Sequence, residues 1–210
     1  MTASPMTGSP MNTPPDNTQV IAETRAWVDR AVIGLNLCPF AKAPQVKGLV
    51  RYVVSQASDP AALLADLITE LERLAEASAD KLETTLLIHP QVLGDFAEYN
   101  DFIAVAEDTV AELDLEGVLQ VASFHPQFQF EGTDESDVSN ATNRSPYPTL
   151  HLIREESIDR AVEAFPEAEA IYEVNIATME KLGAAGWAAL QQQCLDDAAG
   201  PGPAPAPGSQ

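Results

Sequence analysis

Two apolar runs, Thr84–Ile88 and Val118–Phe124, each end in His-Pro-Gln, and a helical pattern separates them. A third run, Leu49–Ser55, precedes them and is separated from the second by another helical pattern. Strands that alternate with helices predict parallel directions and right-handed crossovers. The ends of the second and third strands are therefore expected on one edge of a sheet. This brings His89 and His125 to the same side, about 5–10 Å apart for one or two strand spacings. Ligands of open α/β sheets bind at that carboxyl edge.

The helices between and around these strands have clear signals. Asp59-Pro60 is a cap followed by proline at the first helical position, and Leu63, Leu64, Leu67, Ile68, Leu71 and Leu74 form a broad apolar stripe. A helix over about 95–113 carries Tyr99, Phe102, Ile103, Ala106, Val110 and Leu113, and Gly117 follows it. The first helix places Val20, Thr24, Trp27, Val28, Ala31 and Leu35 on one face, and an irregular turn follows at Leu37–Ala41. Residues 127–148 form a long loop, and loops of that length within a compact domain are usually functional or disordered. Thr149–Ile153 is a fourth strand, expected antiparallel to the third because no helix intervenes. Helices over 157–164, 166–182 and 185–193 complete the domain.

These elements predict an α/β fold, a single layered domain with a mixed, about four-stranded sheet covered by helices. A ferredoxin-like α+β sandwich is the alternative. The folded domain is expected over 18–195. The segments 1–17 and 196–210, rich in Pro with Ser and Thr or with Ala and Gly, are expected to be disordered tails.

With 32 acidic residues against 11 Lys and Arg, the net charge is -21. Such a field repels nucleic acid and anionic membrane, which sets both aside as partners. No apolar run approaches the roughly 20 residues needed to span a bilayer, and the first residues lack a targeting pattern. A cytoplasmic location is the simplest expectation. The two cysteines, Cys38 and Cys194, have no metal-knuckle or disulfide-framework spacing.

Arg144 interrupts a stretch, 83–143, that contains no other Lys or Arg. Its planar fork suits a carboxylate or phosphate, and the competing role is an internal salt bridge to Glu131, Asp134 or Asp137. His125, followed by Pro126 and the aromatic Phe128 and Phe130, is a candidate general acid or base; a satisfied strand-end histidine is the structural alternative. His89 and His151 are its candidate supports, with Phe128 and Tyr147 as substrate contacts. Cys38 is a candidate nucleophile using His125 or His89 as its base, or else a buried structural thiol. Three converging histidines make a divalent metal a weaker option, without HxH or HExxH spacing. No P-loop, GxGxxG or GxSxG pattern is present, so no nucleotide cofactor is expected.

The segments Gly34-Leu35-Asn36-Leu37-Cys38-Pro39-Phe40-Ala41, Phe124-His125-Pro126-Gln127-Phe128-Gln129-Phe130 and Asn143–Arg154 together resemble the domain-of-unknown-function 1415 family. The resemblance spans about 27–190. It implies one domain, brings no catalytic assignment, and makes these three segments the preferred place to look. The functional expectation is an enzyme acting on a small anionic metabolite, with His125 as acid or base and Arg144 orienting the anion. The alternative is a non-catalytic ligand- or metal-binding regulatory module.

Overall fold

A computed structural model describes residues 16–164 and 170–200. Helix α1 (Asn17–Trp27) starts at Asp16, whose carboxylate accepts from Thr18 N, and runs on as a π-helical turn over Val28–Ile33. Gly34 closes that turn because a β-carbon there would lie 2.2 Å from the Arg30 carbonyl oxygen. A short α2 (Lys42–Lys47) follows the Leu37–Ala41 turn, where no helix was predicted. Then follow β1 (Val50–Val54), α3 (Pro60–Glu76), β2 (Thr84–Ile88), α4 (Phe96–Glu112) and β3 (Leu119–Phe124). A 3-10 segment at Val138–Asn143 lies in the long loop before β4 (Thr149–Arg154), α5 (Glu155–Ala164) and α6 (Ile171–Ala198).

The sheet order is β1-β2-β4-β3. β1 and β2 pair in parallel, and β4 runs antiparallel to both β2 and β3. This is the mixed, four-stranded α/β sheet expected, and the antiparallel β3–β4 pair is as predicted. One expectation changes. β2 and β3 are parallel in direction but not neighbours, because β4 returns between them. The chain order βαβαββ also differs from the βαββαβ order of the ferredoxin-like alternative.

Helices cover both faces. On one, Leu63, Leu67, Leu71 and Leu74 of α3 are wholly buried with Tyr99 and Ala106 of α4 against Leu87, Leu150 and Leu152. Each such leucine contributes roughly 1.5–3 kcal/mol of burial. On the other, Trp27 and Val28 join Leu86, Ile88, Met179 and Trp187 beneath α1 and α6. Both capping predictions hold locally: Asp59 accepts from Ala62 N at 2.9 Å, and Pro60 opens α3.

The last helix breaks where the sequence places a gap between two helices. Gly183 has φ 68° and ψ 169° inside α6, a conformation that L side chains rarely adopt. The predicted helix start at Pro166 lies outside the described residues. So do most of the expected tails; where they are described, Asp16 caps α1 and α6 continues to Ala198. Among the described residues no helix is long and apolar enough to cross a membrane.

Candidate functional site

His89 and His125 follow β2 and β3 directly and share the face covered by α4. The Tyr99 ring lies between them, its centroid 5.7 Å from that of His89 and 5.0 Å from that of His125. Its buried hydroxyl donates to Thr149 O at 2.9 Å and accepts from Phe124 N at 3.0 Å, which ties α4 to the ends of β3 and β4.

Both histidines hold one short segment, the link from β2 to α4. His89 Nδ1–H donates to Val92 O at 3.0 Å, and His125 Nε2–H donates to Leu93 O at 3.2 Å. Carbonyl oxygens only accept, so these contacts assign the ring protons. Leu93 is thereby held at φ 56°, an uncommon conformation for a residue with a side chain. The other nitrogen of His125 accepts from Gln127 N at 3.0 Å, so both its ring nitrogens are engaged. His89 Nε2 is buried and has no hydrogen-bond partner among the described residues. Burial, with His125 nearby, pushes the His89 pKa down to about 4. Burial also lowers that of His125, against the opposing pull of the Leu93 carbonyl and Asp95.

His151 does not join them. Its neighbours Leu150 and Leu152 face α3 and α4, so its own ring takes the opposite face, 6.0 Å from Phe124. There Thr84 Oγ1 donates to Leu152 O, and His151 Nε2–H donates to Thr84 Oγ1 at 2.7 Å. Burial lowers its pKa to about 4. Strand alternation therefore separates the three histidines expected to converge. Among the described residues no group of three or more His, Cys, Asp or Glu is placed to hold a metal ion.

Phe128 does reach the histidine edge: the Phe96 ring lies 5.4 Å from His125 and 5.3 Å from Phe128. Arg144 is bound into the same loop. Its Nε donates to Phe128 O at 3.1 Å and its Nη2 to Glu135 O at 2.8 Å. The internal salt bridge weighed from the sequence does not form, because the guanidinium meets backbone carbonyls. Asp137 instead caps the 3-10 segment by accepting from Ser139 N at 2.9 Å. Arg144 lines an open depression of about 510 Å³ with Pro126, Gln127, Asp134, Glu135 and Ser136. The His125 ring meets this depression through its bond to the Gln127 amide.

Cys38 and Tyr147 lie elsewhere. No hydrogen bond joins Cys38 to a histidine among the described residues, and burial raises its thiol pKa despite backbone contacts at Phe40 and Ala41. Tyr147 OH donates to Glu23 Oε2 at 2.7 Å. The two lie on a second cavity, of about 250 Å³, together with Trp27 and Trp187. The sequence reading missed Glu23, which looks like a solvated helix acid, and placed Trp27 only in the core. A signal was present: the chain has two tryptophans, and both line this cavity.

No curated protein and no solved structure matches the chain. The family model described as Protein of unknown function (DUF1415) matches residues 19–189, three motif segments and sheet included, and the chain belongs to that family.

Proposed function

We propose that the chain binds a small anionic molecule in the depression at Arg144, as a ligand-binding module. The observation that supports this reading is the state of the Arg144 charge. Two of its nitrogens are fixed by carbonyls of the 125–137 loop, and it forms no ion pair among the described residues. A guanidinium held in place this way has lost its side-chain freedom before a ligand arrives, which favours bidentate capture of a carboxylate. Asp134 and Glu135 on the rim select against multiply charged anions, so a monocarboxylate fits better than a polyphosphate.

In this reading His125 positions the site. It fixes the Gln127 amide on one side and Leu93 on the other, and neither ring nitrogen is left free for a substrate proton. The catalytic alternative, with His125 as acid or base, requires one of these two hydrogen bonds to open.

Calorimetric titration with acetate, pyruvate and inorganic phosphate tests the proposal. Pyruvate or acetate should bind saturably, and Arg144→Gln should weaken that binding at least tenfold, about 1.4 kcal/mol. Equal affinity in the wild type and in a folded Arg144→Gln protein overturns it.

A further inference from the structure

We propose that the second cavity, between α1, α6 and the Arg144–Tyr147 segment, is a binding site for a small organic cation such as a primary or quaternary amine. Its lining combines the two features that recognise such a group. Trp27 and Trp187 supply indole rings, whose π systems attract a desolvated cation. Glu23, a residue only 8% exposed, supplies a carboxylate.

Among the described residues no cationic side chain hydrogen-bonds to Glu23. Its two oxygens accept from Tyr147 OH at 2.7 Å and Gln19 Nε2 at 2.8 Å, both neutral donors. No Lys, Arg or His forms an ion pair with it among the described residues, and the remaining residues contain none of these types. Arg25 stacks on the Tyr52 ring and Arg30 pairs with Asp197, while Arg144, which also lines this cavity, donates to the Phe128 and Glu135 carbonyls and makes no ion pair with Glu23. A buried carboxylate without a counter-charge is costly to keep, and a cation entering the cavity removes that cost. One neutral donor on each oxygen leaves further acceptor capacity for an ammonium group.

Size and field agree with this ligand class. About 250 Å³ is below the usual range for drug-sized ligands and suits a metabolite of choline or alkylamine dimensions. The net charge of -21 draws cations toward the molecule and opposes anions. Arg144 lines both this cavity and the open depression, but the two tests use different ligands and different variants, so either proposal can fail without the other.

The test uses the full chain in about 0.3 M NaCl, which screens loose binding to its acidic surface. Choline, n-butylamine and the uncharged choline isostere 3,3-dimethyl-1-butanol are titrated while tryptophan fluorescence is read. Because both tryptophans line the cavity, occupancy should change the emission. The expected result is saturable binding of choline or n-butylamine, at least tenfold tighter than the neutral isostere, with that preference lost in Glu23→Gln. If Glu23→Gln fails to fold, Trp187→Leu should weaken cation binding at least tenfold, with Trp27 as reporter. Absence of saturable cation binding, equal binding of the neutral isostere, or unchanged affinity in the folded variants overturns the proposal.

Discussion

At the scale of single residues, the duplicated His-Pro-Gln is a pair of neutral donors that hold one loop from two strand ends. His89 and His125 reach successive carbonyls, and the Tyr99 ring fills the space between them. This makes the fold sensitive to acid. An unfolded histidine titrates near its ordinary 6.5, whereas folded His89 titrates near 4. As pH falls through about 6.5 the unfolded chain takes up the proton first, so stability present above that pH is lost toward pH 4. For His89 alone the loss reaches about 3 kcal/mol; His151 acts in the same direction. Denaturant unfolding followed from pH 7 to pH 4.5 should show this decline, with a shallower slope for His89→Asn. Parallel curves for the two proteins would contradict the assignment.

At the scale of elements, α4 is the brace of the candidate site, and Tyr99 is its anchor. Tyr99→Phe removes one buried hydrogen bond to β4 and leaves the Phe124 amide without its acceptor. It should destabilise the protein by about 1–3 kcal/mol with little change in core volume; chemical denaturation measures this directly. The strands, the α3 cap and the shared edge for His89 and His125 were all legible in the sequence, because periodicity and Asp-Pro capping act locally. The position of β4 was not. Whether a returning strand lies outside β3 or slips between β3 and β2 depends on the long 125–148 loop and on pairing across the sheet. His151 was misplaced for a related reason: proximity along the chain to Tyr147 and Arg144 says little once strand alternation turns it to the other face. Glu23 and Tyr147 are 124 residues apart in sequence, and only the packing of α1 joins them.

At the scale of the whole molecule, the sheet is covered on both faces, and the two candidate sites lie at its carboxyl edge and in a helix-lined cavity. The sequence pointed to the edge through His89 and His125 and to an anion through Arg144, yet nothing in it indicated that the arginine would bond to carbonyls and keep its charge unpaired. The charge of -21 shapes both sites, since it disfavours anions everywhere except beside a fixed cation. It should also strain the folded state through self-repulsion, so the thermal midpoint should rise between 0.02 and about 0.3 M NaCl as the repulsion is screened. A flat response would show that these charges are already balanced locally. The central claim concerns the Arg144 guanidinium itself, and nuclear magnetic resonance of arginine-labelled protein observes it directly. Titration with pyruvate is predicted to shift the Arg144 Nε–H resonance saturably while that of Arg154, whose side chain donates to Leu74, Ala77 and Leu82 carbonyls, stays in place. No shift at Arg144, or equal shifts at both arginines, would contradict the account.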